Sequence, residues 1–127
     1  MSRFSETLLE HARHPRNCRR DNEADLVGMA NLDGGPPQVE FCLRVEAGRI
    51  TRASFQAGGC GVTIGACSAL SELVEGVTLE EAAMITRDRL SEALEGVPPD
   101  KHYCLDVALA AIQGAACTRS AAFPSGE

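Results

Sequence analysis

The sequence predicts an α+β fold, a small three-stranded antiparallel sheet with helices packed on one face. Three observations carry the prediction: a short amphipathic helix opens the chain, alternating apolar and polar residues mark strands up to Ala57, and apolar residues recur at helical spacing from Val62 onward. The strands form one run and the later helices another, a segregation that belongs to α+β rather than to alternating α/β units.

The first helix covers Ser5 to Arg13, with Leu8, Leu9 and Ala12 on one face, and Pro15 stops it. From Pro15 to about Leu26 the residues are polar, and Arg13, Arg16, Arg19 and Arg20 gather there. Such a cluster reads first as a solvated loop and second as a dock for an acidic partner. Val27 to Asn31 is a short strand candidate, followed by the breakers Asp33-Gly34-Gly35-Pro36-Pro37. Val39, Phe41, Leu43 and Val45 alternate with Glu40, Cys42 and Arg44, so this strand buries one face. Ala47-Gly48 turns the chain into a strand from Arg49 to Ala57, with Ala53 and Phe55 facing inward, and so short a turn makes the pair antiparallel.

The helical half starts at Val62 and ends its first run at Gly76. Thr78-Leu79-Glu80-Glu81 is a capping box for a helix through Ile85, and a shorter helix covers Asp88 to Glu95. The last helix spans about His102 to Arg119, burying Leu105, Ala108, Leu109, Ala111, Ile112 and Ala115, and the tail from about residue 120 is expected to fray. At 127 residues the chain fits a single domain, 1–127, able to bury a core without disulfide staples. Aromatic residues are only 4% against 44% apolar overall, so aliphatic and Ala-rich helix packing must build that core.

Twelve basic against 18 acidic residues give a net charge of −6, which argues against phosphate-backbone binding and hence against nucleic acid. No apolar run approaches a membrane span and Met1 to Glu6 lacks a signal-peptide core, so the expected setting is the cytoplasm with no membrane partner. In that compartment the six cysteines are expected to be reduced. Two stand out: Cys60, inside Gly58-Gly59-Cys60-Gly61, and Cys104, after Pro98-Pro99-Asp100-Lys101-His102-Tyr103. Each sits where a loop hands over to a helix, and unpaired N–H groups and the helix dipole at that end favour a thiolate. Cys18, Cys42 and Cys117 show no ligand spacing and read as structural.

Nearly the whole chain resembles the iron-sulfur cluster scaffold family of IscU and NifU-N type. The resemblance rests on the opening helix with His14-Pro15-Arg16-Asn17, Gly28-Met29 before the sheet, Gly58-Gly59-Cys60-Gly61, and Pro98-Pro99-Asp100-Lys101 ahead of Cys104 and an Ala-rich final helix. It implies a scaffold that assembles a transient [2Fe-2S] cluster on three cysteines plus an Asp or His. The implied partners are a cysteine desulfurase as sulfur source and cluster-acceptor proteins as recipients. Two of the three ligand loops depart from that pattern. Gly35-Pro36-Pro37 stands where the family carries Cys-Gly-Asp, and Tyr103 stands at the third loop's histidine position, with His102 one place earlier. Cys60, Cys104 and Lys101 are retained.

Other residues are weighed as substitutes. Cys67 lies seven positions past Cys60, about 10 Å along a shared helix axis, and is expected in the core ahead of any ligand role. His102 divides evenly between ligand and exposed side chain, and Asp33 reads first as a turn residue and second as an oxygen donor. Two thiolates with His102 and Asp33 make a tetrahedral zinc set, whereas a cluster prefers four cysteines, which a homodimer would supply. Val97 to Lys101 resembles a segment that a dedicated chaperone reads in some family members, with Asp100 replacing an apolar residue. Two functions stay open: a diverged scaffold holding iron and sulfur on Cys60 and Cys104 with help from Lys101, or a non-assembling interaction module, zinc-bound or metal-free. A turnover enzyme is disfavoured, since no Cys-x-x-Cys pair is present.

Overall fold

A computed structural model describes residues 3–31 and 38–125, with side chains described through Cys117. Asp33 and the Gly35-Pro36-Pro37 segment lie outside the described residues. The order is α1 (Glu6–Arg13), β1 (Leu26–Ala30), β2 (Val39–Glu46), β3 (Arg49–Ala57), α2 (Gly61–Val74), α3 (Leu79–Ala83), α4 (Arg87–Ala93) and α5 (His102–Ser125). The α+β expectation holds: the sheet runs β1-β2-β3, both pairings are antiparallel, and α5 and α2 cover one face.

The hairpin forms because Ala47 and Gly48 both take positive φ, 54° and 79°, the backbone of a two-residue turn matched to strand twist. A register shift at Arg44/Val45 interrupts the alternation, and the Thr51 hydroxyl donates to the Arg44 carbonyl there (3.2 Å). The extra residue turns Ile50 inward beside the expected Ala53 and Phe55. Phe41 and Phe55 face each other across the strands with ring centroids 5.7 Å apart.

The strand alternation expected for β2 is overridden at Cys42, which is buried although it faces away from the helices. The Arg-rich segment lies over that outer face, held by Arg20 to Glu40 (2.8 Å), Arg44 to Asp21 (2.6 Å), and the Asp25 amide to the Leu43 carbonyl (2.8 Å). Asn17 takes φ 62°, a conformation Asn tolerates, and its carbonyl accepts from the Phe55 amide (2.9 Å). Arg16 and Arg20 thus engage acidic groups of the same chain instead of forming a bare basic patch.

Two glycines allow the close approaches that position the helices. A Cβ on Gly28 of β1 would stand 2.0 Å from the Ala111 carbonyl oxygen of α5. One on Gly65 of α2 would stand 2.8 Å from Leu8 Cδ1 of α1. Buried His11 crosses the α1–α2 contact, its Nδ1 2.7 Å from Ser68 Oγ, and Ser68 Oγ also accepts from the Arg16 amide (2.8 Å). The Thr78 capping box forms with both of its bonds. The last helix continues to Ser125, past the expected end at Arg119. No helix among the described residues is long and apolar enough to cross a membrane.

Candidate functional site

Cys60 is the N-cap residue of α2. It is extended (φ −90°, ψ 167°), follows Gly59 at φ 88°, and its carbonyl accepts from the Thr63 amide (3.1 Å). The glycine before it supplies a left-handed backbone that a side chain would strain, so the sequence Gly-Gly-Cys-Gly presents the thiol at the loop's end. Cys104 arrives from the other side of the chain. Pro98 and Pro99 lead into a 3-10 turn over Pro99–Lys101, and α5 follows at His102 with Cys104 in its first turn. The two Sγ atoms meet at 3.7 Å although 44 residues separate them.

The thiols are not equivalent. Cys60 is exposed; Cys104 is completely buried. Burial pushes the Cys60 thiol up, but hydrogen bonds from the Thr63 amide and hydroxyl, from Cys104 and from the Val62 amide outweigh it, so its pKa lies below the ordinary thiol value. Cys104 moves the other way. Burial raises it most, the Thr63 hydroxyl opposes this, and the neighbouring Cys60 raises it further. The expectation that both thiols ionise readily is therefore corrected for Cys104: its place in the first helical turn is outweighed by loss of water and by a sulfur already favouring the anion. Of the two, Cys60 is the sulfur that ionises first and Cys104 the one that holds its proton longer.

Thr63 was not singled out in the sequence. Its hydroxyl is 3.8 Å from Cys60 Sγ, and the side chain is buried. The available signal is its spacing, since N-cap to third helical residue is the offset at which capping-box side chains meet.

Lys101 lines a largely apolar cavity of about 230 Å³ that Cys60 and Gly61 share with Phe4, Leu8 and Ala12. Its ammonium also stands 5.8 Å from the centre of the Tyr103 ring, so the residue in the expected histidine place holds the lysine by a cation–π contact. His102 is turned elsewhere: its Nε2 is 3.0 Å from the Val97 carbonyl oxygen. Cys67 is fully buried on α2, and that burial, then the proximity of Cys18 and Cys104, drives its thiol far up. Among the described residues no three His, Cys, Asp or Glu side chains converge to hold a metal ion. The structure thus brings Cys60 and Cys104 together, sets Lys101 on the cavity that Cys60 lines, and leaves His102 and Cys67 in other roles. Asp100 pairs with Arg3 (3.0 Å), which ties the N-terminal segment to this loop, while Val97 is buried.

The family model described as "NifU-like N terminal domain" matches residues 3–121. The chain belongs to the NifU-like N-terminal domain family. Among relatives of this NifU-like chain, the iron-sulfur cluster assembly scaffold protein IscU 1 of Archaeoglobus fulgidus is 34% identical over 112 residues, covering 88% of this chain and 73% of its own. The iron-sulfur cluster assembly scaffold protein IscU of Haemophilus influenzae is 33% identical over 116 residues, covering 88% and 91%. The crystal structure of a nitrogen-fixing NifU-like protein (N-terminal) from Brucella abortus superposes with a TM-score of 0.76 at 17% identity, covering 92% of this NifU-like chain and 94% of that one, a likeness of fold.

Proposed function

We propose that this NifU-like chain is a diverged iron-sulfur cluster assembly scaffold that takes sulfur and iron onto Cys60 and Cys104 and passes the product to acceptor proteins. The supporting observation is the 3.7 Å approach of two thiols contributed by different loops. Cys60 is the entry point because it is exposed and favours the anion, the form that accepts sulfur and binds iron. Lys101, on the same cavity, offsets the negative charge that accumulates as thiolates and sulfide gather.

The donor set fits part of the cargo. Two thiolates are half of the four donors a [2Fe-2S] unit normally takes, so a homodimer pairing two such faces, with four cysteines, completes the set. A single zinc ion held by the two thiolates with further N or O donors is the smaller alternative. A cysteine desulfurase is the natural sulfur source, the cytoplasm the natural setting, and a chaperone reading Val97 to Lys101 would meet Pro98 to Lys101, since Val97 is buried.

One observation favours a second reading, an interaction module that assembles nothing: no third ligand converges on the thiol pair among the described residues. Anaerobic reconstitution with ferrous iron and sulfide separates the two. The scaffold reading expects charge-transfer absorption bands and acid-labile sulfide that both Cys60→Ser and Cys104→Ser abolish. Folded wild-type chain with no bands and no bound iron or sulfide would leave the module.

A further inference from the structure

Only one sulfur of the pair faces solvent. Cys60 is exposed on the loop ahead of α2, whereas Cys104 is 0% exposed in the first turn of α5, directly behind it at 3.7 Å. A sulfur donor therefore reaches Cys60 first. The sulfur it leaves there extends to the open side, while the inner atom, Cys60 Sγ, remains the one that Cys104 faces. Among the described residues a Cβ on Gly58 would meet nothing within 4 Å and one on Gly59 only Thr63 Oγ1 at 3.9 Å, so the Cβ positions of the two glycines ahead of Cys60 are open. The approach must shrink to an S–S bond of about 2 Å.

Resting on the sulfur-acceptor reading above, we propose that Cys60 and Cys104 are an acceptor and resolver pair that releases the accepted sulfur as sulfide and closes an internal disulfide. A persulfide donor, R–S–SH, passes its outer sulfur to Cys60 and departs as the thiol R–SH, leaving Cys60 as a persulfide. Cys104 gives up its proton to the departing sulfide as its Sγ, now a thiolate, attacks Cys60 Sγ, the route of thiol–disulfide exchange. The Cys60–Cys104 bond forms and the bond to the outer sulfur breaks. That sulfur leaves as hydrogen sulfide, carrying the persulfide proton and the Cys104 proton. It gains two electrons, and the two thiols lose them in becoming a disulfide, so the release step needs no further reductant. A dithiol restores the pair for another round. This gives the chain an activity that two thiols suffice for, without the ligands missing from the first loop.

The test uses the full chain with exposed Cys18 and Cys117 changed to serine, reduced, desalted without oxygen and given a small excess of glutathione persulfide. Sulfide release, intact mass and a peptide map are read together, with the donor alone as background. The expected result is one sulfide per chain, a protein lighter by two hydrogen atoms, and the Cys60 peptide linked to the Cys104 peptide. Adding Cys104→Ser is expected to leave the extra sulfur on Cys60 and to reduce sulfide release to background, with an unchanged circular-dichroism spectrum. Should the chain with both thiols keep the added sulfur and form no disulfide, the resolver role is overturned while sulfur acceptance stands. If no form takes up sulfur, the acceptor reading falls too. Uptake on Cys104 in a Cys60→Ser chain would overturn the assigned order. The disulfide map needs neither substitution, so misfolding of a variant does not shield the proposal.

Discussion

A single methyl group at Gly28 challenges the contact that holds the sheet to the helix carrying Cys104. A Cβ there would lie 2.0 Å from the Ala111 carbonyl oxygen and 2.4 Å from the Ala115 amide nitrogen, whereas ordinary contact begins at 3.4 Å. Both obstacles belong to the backbone of a hydrogen-bonded helix and cannot rotate aside, so β1 and α5 must separate by more than an ångström. Overpacking of this kind costs about 1 to 3 kcal/mol, and a rigid backbone obstacle places Gly28→Ala at the upper end. Gly114, on the α5 side of the same contact, predicts the opposite. Among the described residues its Cβ would meet only the Gly28 Cα at 3.9 Å, and replacing Gly by Ala within a helix gains about 0.8 to 1 kcal/mol. Urea unfolding followed by circular dichroism reads both. With a slope of about 1 to 3 kcal/mol per molar urea, the Gly28→Ala midpoint falls by about 1 M or more, and the Gly114→Ala midpoint holds or rises. A Gly28→Ala midpoint within about 0.3 M of wild type would refute the packing argument, because it would mean β1 and α5 have room they lack here.

Three further outcomes follow from the geometry. Cys60 should be alkylated by iodoacetamide faster at pH 7 than a free cysteine peptide, because its lowered pKa leaves more thiolate. Thr63→Val should slow that reaction and Thr63→Ser restore it, and equal rates in all three would remove Thr63 from the site. His11 is held mainly neutral by burial and by Arg16 against the pull of Glu72 and Glu10, with a pKa below 6.5. The unfolded chain then takes up a proton that the folded one refuses, so stability declines as pH falls below 6.5. His11→Gln should flatten the drop in unfolding midpoint between pH 7 and 5.5, and an undiminished drop would point to another group. Leu8→Ala removes a side chain 1% exposed beside Gly65 and the Cys60 cavity, and should cost about 2 to 5 kcal/mol in urea unfolding. A loss well under that range would show that α1 is not held to α2 by this residue.

Much of the fold was legible because its signals are local. The Thr78 capping box, the Ala47-Gly48 turn, and the inward Val39, Phe41 and Leu43 each depend on residues a few positions apart, and each appears where the sequence places it. The alternation puts Cys42 on the polar face of its strand, and its burial there is not legible locally, because the Arg-rich segment over that face starts more than twenty positions earlier. His102 was open to two readings because its partner, the Val97 carbonyl, belongs to a turn whose 3-10 form two prolines permit but do not demand.

By itself the chain's order of residues determined which elements form and that two cysteines lie where loops pass into helices, since backbone preference and hydrophobic period act over a turn or a strand. Only the packed molecule decided that those sulfurs touch, that one is open and the other sealed, and that their proton affinities part in opposite directions. The reason is that distance across 44 residues, burial and the local dielectric are properties of helices laid on a sheet, and no neighbouring residue in the chain encodes them.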